Sequence, residues 1–318
     1  MNLVRDKRVE TALYRGGLLT LENPAYRDTL RGLMEILLRD DVGLNDLTAG
    51  AMGLEERRAG GTLISQGGGI AAGLPEFAFL LHEHGILVTF ERRDGDVIAP
   101  GDIVAWAEGG EKRLLALERV GLNLLQRMSG IATAAHCLQH RVSQRGRARI
   151  TGTRKTPWGL LDKRALHVGG AGTHRLGLGD AILIKNNHLA LLATTEEKAV
   201  RLAIERAWKA RHDAAFIEVE VRGPYAARAA AQTFRELAEQ SSEEYPCLLL
   251  LDNMTADQAS RIVHMLEQEG LWDHVLLEAS GGITEANIEG YAASGVDVIS
   301  LGALTHSARA LDLCLRIS

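Results

Sequence analysis

Residues His274–His306 read HVLLEASGGITEANIEGYAASGVDVISLGALTH. Two apolar runs, one ending on Ser280-Gly281-Gly282 and the other on Gly302, flank a segment with helical character. Strand, helix, strand at this spacing is the signature of parallel β-strands joined by a crossover helix, and near-continuous apolar strands imply burial on both faces. The rhythm extends upstream through ARITGT, AILIKNN, FIEVEV and CLLLLDN, each followed by helical sequence. About six such repeats suit a closed or nearly closed α/β barrel better than a short open sheet. No GxGxxG follows the first of these strands, which speaks against a dinucleotide-binding sheet. Capping boxes are expected at Thr194 with Glu197 and at Thr255 with Gln258. The polar segment Gln232–Pro246 reads as a lengthened helix and surface loop.

The first third has a different grammar. ENPAYRDTLRGLMEILLRDD predicts a helix capped by Asn23, with Pro24 in its first turn and an apolar face of Leu30, Leu33, Met34, Leu37 and Leu38. GILVTF, GDVI and GDIVAWAEG, broken by Gly and Asp, predict an antiparallel sheet with tight turns. A long helical stretch follows, amphipathic over Arg113–Met128, and the domain boundary is expected within it. The sequence thus implies an α/β protein: an N-terminal α/β sandwich with an antiparallel sheet over residues 1–125, a barrel over 126–308, and a last strand, 309–318, returning to the first domain.

The 318 residues are 46% hydrophobic and 24% charged, ordinary for a soluble globular chain able to bury a large core. A net charge of -5 argues against a general nucleic-acid binder. No apolar run has membrane-spanning length and the N-terminal MNLVRDKRVE lacks a signal region, so a cytoplasmic protein is expected. Cys137, Cys247 and Cys314 show no metal or redox spacing and read as small buried hydrophobes in a reducing compartment.

In an α/β barrel the chemistry collects just beyond the carboxyl ends of the strands. Those ends carry Arg154-Lys155, Lys185, Glu218 and Glu220, Asp252-Asn253, Ser280-Gly281-Gly282 and Gly302, with His306 one turn later; the loop Gly169–Arg175 adds His174-Arg175. Each has a bland reading. Arg154-Lys155 can be a solvated pair, Lys185 a snorkelling surface lysine, Glu218 and Glu220 the wet face of an edge strand, and Asp252 a helix cap. Together they place five cations and two or three carboxylates on one rim. The glycine motifs at successive strand ends, SGGI and LGALTH, suit a phosphate cradle in which backbone N–H groups and helix N-termini meet the anion. Arg and Lys suit carboxylates. Acidic residues on the same rim call for a Mg²⁺ bound through one or two carboxylates and substrate oxygens.

The stretches ERVGLNLLQRMSGIAT, GTRKT, THRLGLGDAILIKNNH, IEVEV, LLDNMT, EASGGI and GVDVISLGALTHSA resemble, in order from Glu118 to Ala308, those of the quinolinate phosphoribosyltransferase family. The resemblance implies the sandwich-plus-barrel fold and a homodimer with shared active sites, with a hexamer as the larger alternative. It implies transfer of phosphoribose from phosphoribosyl pyrophosphate to quinolinate with Mg²⁺, giving nicotinate mononucleotide, pyrophosphate and CO2. Carried over by motif, Arg154, His174, Arg175 and Lys185 surround quinolinate, Lys155 lies between the substrates, and Arg119 comes from the partner subunit. Glu220 and Asp252 serve the metal and ribose; Ser280, Gly281, Gly282, Gly302 and His306 hold the 5′-phosphate. Lys155, Lys185, Glu220 and Asp252 are the catalytic candidates. The chain departs from the family at Gly152, where Asp is usual, and in Thr156–Lys163, about two residues shorter than the family's loop.

Three alternatives stay open on the residues alone. One is the family's molybdate-operon paralogue, acting on another pyridine or aromatic carboxylate; IKNNH and LGALTH favour the transferase. Another is a silent homologue that binds a phosphorylated metabolite. The third is a barrel enzyme in which Lys185 forms a Schiff base.

Overall fold

The computed structural model describes residues 3–43, 46–192, 195–241 and 244–318. In chain order the strands are β1 (Arg58–Ser65), β2 (Gly69–Ile70), β3 (Leu87–Phe90), β4 (Val97–Ile98), β5 (Ile103–Gly110), β6 (Arg149–Thr151), β7 (Ile182–Ile184), β8 (Ile217–Val221), β9 (Cys247–Asp252), β10 (Leu276–Ser280), β11 (Val298–Ser300) and β12 (Leu313–Ile317). The chain divides into two compact units, neither contiguous: residues 1–15, 137–155 and 171–303 form one, and 16–136, 156–170 and 304–318 the other. The boundary expected at residue 125 falls inside a single helix, Glu111–Ser143, that the sequence presents without a break.

One unit is built on an antiparallel sheet of order β12-β1-β5-β3, as the alternating segments predict, with β2 and β4 as a separate pair. The helix Pro24–Asp41 starts as expected, Asn23 accepting from the Ala25 N–H and Pro24 in the first turn. It buries Tyr26, Leu30 and Met34; the rest of its predicted face is half-buried. Gly130, on the long helix, lets the chain pass at Arg309, whose carbonyl oxygen a Cβ would overlap.

The other unit carries a six-stranded parallel sheet of order β6-β11-β10-β9-β8-β7. A bridge between Thr151 and Gly172 continues the ladder beyond β6, towards the closed arrangement that the repeat count suggests. Register sorts the inward-facing residues into levels. Leu183, Glu218, Leu248 and Leu276 align across β7–β10; Glu220, Leu250, Glu278 and Val298 align one step higher; Asp252, Ser280, Ser300 and Thr151 align above those. The interior therefore passes from leucine at the amino ends to hydroxyl and carboxylate groups at the carboxyl ends. The helix Leu3–Leu13 closes the amino ends, packing Val9, Ala12 and Leu13 against Ala181, Phe216, Leu248, Leu276 and Val298. Those residues are apolar because a helix covers them; sequence reading had placed the segment in the first domain.

The Thr255–Gln258 capping box forms, each side chain accepting from the other residue's N–H. Thr194 lies outside the described residues; the helix Glu196–Lys209 has Thr195 as its N-cap, with no side-chain bond. Most of the polar segment after Gln232 continues the helix Pro224–Ser241. The cysteines correct the uniform expectation: Cys247 is buried, Cys314 half-buried and Cys137 exposed.

Candidate active site

A cavity of about 480 Å³ opens at the carboxyl ends of the parallel strands. Ten of the expected residues line it: Arg154, Lys155, His174, Arg175, Lys185, Glu220, Asp252, Ser280, Gly281 and Gly282. Asn253, read at the same strand end as Asp252, lines it too, whereas Thr153, Glu278 and Ser300, also in the lining, carry no local signal that singles them out. Ser300 donates to or accepts from Ser280, their hydroxyl oxygens 2.8 Å apart. Gly302 follows Ser300 by two residues, just outside this lining. Arg119, exposed on the long helix, and His306, whose Nδ1 lies 2.7 Å from the Ser307 hydroxyl, belong to the other compact unit.

Arg175 is the most informative lining group. Its side chain is buried, with one weak bond of 3.3 Å from a terminal nitrogen to the Ala181 carbonyl, and its Nε has no partner. Burial, then the neighbouring Arg154, lowers its pKa, so the site holds this cation at an electrostatic cost. Among the described residues no carboxylate forms a salt bridge with this guanidinium, with Glu218 and Asp180 acting only at longer range, and a buried cation so placed calls for an anion. Lys185 stands at the mouth, its side chain 50% exposed and its Nζ 3.8 Å from Glu220 Oε1. Its backbone N–H donates to His188 Nδ1, which fixes the turn after β7.

Glu220 and Asp252 sit at the ends of neighbouring strands, and Asn186 joins them: its N–H donates to Glu220 and its side-chain amide to Asp252. The two carboxylates are hard oxygen donors, a partial set that suits Mg²⁺ completed by ligand oxygens. Glu218, two residues back and on the same face, lies a full level deeper, which explains why Glu220 is the rim carboxylate.

The glycine nest differs from the expected helix N-terminus. Gly281 and Gly282 take φ of +89° and +64°, left-handed values that no helix contains, and the next helix begins only at Ile288. The loop is braced by Asn287, which accepts from Thr284 N–H and donates to the Gly282 carbonyl. A Cβ at Gly281 would overlap the Asn253 side-chain oxygen. Asn253 is itself left-handed, at φ +54°. The backbone here is bare and close to the cavity, as an anion-binding concavity requires.

His174 lines the cavity, yet both ring nitrogens face protein. Nδ1 accepts the Arg175 N–H at 2.7 Å; Nε2 lies 3.1 Å from Glu218 Oε2 and 3.4 Å from Glu278 Oε2. All three residues are buried. Burial lowers the imidazole pKa, but Glu278 and Glu218 outweigh it and raise it to about 10. The backbone contact opposes that pull: an imidazolium would point an Nδ1 hydrogen at the Arg175 N–H only 2.7 Å away, so the geometry sets a single hydrogen, on Nε2. Burial, then the neighbouring Glu278, raises the Glu218 pKa to about 7. The three groups bring ligand atoms within 4.8 Å of one another, but Nε2 ligates a metal only by giving up that hydrogen.

The shortened loop is anchored within the other compact unit. Buried Asp162 accepts from Arg127 Nε and Nη2 at 2.7 and 2.8 Å, from the Thr156 hydroxyl and from the Trp158 N–H. The Arg127 guanidinium also lies 5.2 Å from the Trp158 ring centroid. Nothing in the local pattern marks Asp162 as buried; it reads as an ordinary acidic residue in a helix's first turn.

Residues 131–316 match the family model described as quinolinate phosphoribosyl transferase, C-terminal domain, and residues 46–129 the corresponding N-terminal domain. A probable nicotinate-nucleotide pyrophosphorylase [carboxylating] of Methanothermobacter thermautotrophicus is 36% identical, covering 88% of this chain and 96% of its own length. The nicotinate-nucleotide pyrophosphorylase [carboxylating] of Homo sapiens is 35% identical over 91% of this chain and 92% of its own. The solved structure of the nicotinate-nucleotide pyrophosphorylase of Francisella tularensis superposes with a TM-score of 0.77 at 28% identity, covering 92% of this chain and 96% of that one. With both halves matched in order and the cavity lined by the family's motifs, the chain belongs to the quinolinate phosphoribosyltransferase family.

Proposed function

We propose that the cavity binds quinolinate beside phosphoribosyl pyrophosphate and makes nicotinate mononucleotide, with release of pyrophosphate and CO2, as a step of NAD biosynthesis. The observation that carries this reading is Arg175, a buried cation with an unpartnered Nε in a cavity shared with Arg154, Lys155 and Lys185. A planar dicarboxylate answers the guanidinium forks, and the Ser280–Gly282 nest suits a phosphate monoester.

The pyridine nitrogen lone pair forms the bond to ribose C1 as the C1–O bond breaks and pyrophosphate leaves with the electron pair. Arg154, Arg175 and Lys185 align the ring nitrogen with C1; the nest at Gly281 and Gly282 fixes the other end of the sugar. Lys155, on the strand-end turn between these regions, faces the departing charge. A Mg²⁺ held by Glu220 and Asp252 would compensate the charge of the leaving pyrophosphate. Loss of the carboxylate next to the now positive ring nitrogen leaves an electron pair on that ring carbon, which a proton from water then takes up. Lys185 is half-exposed, lies beside Glu220 and shares the cavity with Arg154, Lys155 and Arg175, which suits ion pairing and not a Schiff base.

The assembly that accompanies this reading is a homodimer in which Arg119 of the partner subunit completes each site; sedimentation separates it from a hexamer. The three free thiols accord with a cytoplasmic setting. Among the described residues no helix is long and apolar enough to cross a membrane. The deciding assay supplies quinolinate, phosphoribosyl pyrophosphate and Mg²⁺. Equal yields of pyrophosphate and CO2 are expected. Release with another aromatic carboxylate but none with quinolinate would move the chain to the paralogue's activity.

A further inference from the structure

We infer that Glu218 and Glu278 are positioning residues for the acid-binding cation: they grip the Nε2–H edge of His174, whose Nδ1 holds the Arg175 backbone N–H and so aims the Arg175 side chain into the cavity. The inference rests on the proposed reading of the cavity as a dicarboxylate site.

The geometry runs in one line. Glu218 on β8 and Glu278 on β10 project from non-adjacent strands into the interior, at 0% and 1% exposure. Both approach the same ring nitrogen, at 3.1 and 3.4 Å, and among the described residues none of their four oxygens has an aligned hydrogen bond, so their pull on the Nε2–H edge is electrostatic. A carboxylate pair left this bare in a core is expensive, so a purely structural role accounts for it poorly. From the third side Phe216 packs edge-on against the imidazole, ring centroids 5.5 Å apart at 73°. His174 sits at φ +53°, an unfavourable left-handed value for a residue with a bulky side chain. The turn holding it is pinned by Thr173 and His174 N–H groups, both donating to the Leu13 carbonyl. The next N–H, that of Arg175, is the one that the ring accepts at 2.7 Å. The strain, the bare carboxylates and the ring contact all converge on the peptide that sets where Arg175 points.

The test compares Glu278→Leu with Glu278→Gln. Leucine removes the grip on Nε2–H; glutamine keeps an oxygen able to accept it. Glu278→Leu is expected to raise KM for quinolinate about tenfold or more, with KM for phosphoribosyl pyrophosphate within about twofold of the parent, at roughly one decade per 1.36 kcal/mol. Glu278→Gln is expected to recover most of that loss, and Glu278→Leu to keep its melting temperature, since a hydrophobe replaces a poorly satisfied buried carboxylate. A folded Glu278→Leu enzyme with both KM values unchanged overturns the inference, as does one in which both rise together. A second measurement needs no substrate. Nitrogen NMR of histidine-labelled protein at pH 7.5, with the His174 signal identified by its loss in His174→Asn, is expected to show hydrogen on Nε2 only. Hydrogen on Nδ1 overturns the clamp even if Glu278→Leu fails to fold. A parent enzyme inert towards quinolinate sinks the proposed function instead, and the tautomer still decides the clamp.

Discussion

Arg5 and Arg175 are both almost fully buried in the unit built on the parallel sheet, at 2% and 5% exposure. At the amino ends of the strands, Arg5 is saturated. Its Nε and Nη2 bond both oxygens of Asp297 at 2.8 and 2.7 Å, its other donors reach the Trp272 and Val275 carbonyls at 2.6 Å, and it stacks 3.7 Å from the Trp272 ring centroid. At the carboxyl ends, Arg175 has one long bond and a bare Nε. The same side chain at the same burial is a rivet in one place and a receptor in the other. The difference lies in the partner inventory, not in depth.

The sharpest way to break this contrast is to remove each arginine. Arg5→Ala strands Asp297, with Arg147 as its remaining cation, and is expected to cost about 3–5 kcal/mol. Urea unfolding would show this, with turnover per folded molecule little changed. Arg175→Ala should do the reverse: a roughly 100-fold fall in kcat/KM for quinolinate, equivalent to about 2.7 kcal/mol, without loss of melting temperature. A stability loss like that of Arg5→Ala would erase the distinction. Gly281→Ala tests the other half of the receptor end. Strain at φ +89° and the overlap with Asn253 should raise KM for phosphoribosyl pyrophosphate about tenfold, measured by steady-state kinetics. The smallest effect is expected at a helix cap outside the cavity lining: Thr255→Ala should lower stability by about 1 kcal/mol and leave both KM values alone.

The receptor end was far more legible in the sequence than the riveted one. A cation or carboxylate directly after four apolar residues announces a strand end, and strand ends in this architecture converge. Lys185 and Asp252 were found that way. Alternation put Glu218 and Glu220 on one face, but their depth follows from register against β9, which no local pattern encodes. His174, expected beside the substrate, lines the cavity, but the neighbouring peptide and two distant glutamates that its ring nitrogens meet are invisible in a linear pattern. The segment Leu3–Leu13 hid its place for the same reason: Arg5 and its partner Asp297 are 292 positions apart. The antiparallel sheet was readable from its turns, and the last strand returns to it as expected, but its partner β1 and their register span most of the chain and are not locally encoded.

That interleaving carries a consequence for anyone wishing to divide the molecule. A single cut at any residue between 137 and 303 severs the parallel-stranded unit, and a cut nearer the front separates the Leu3–Leu13 lid from the strands it covers. Fragments expressed apart would each present apolar surface meant for the other. Complementation of co-expressed pieces, not autonomous folding of either, is the behaviour that this topology dictates.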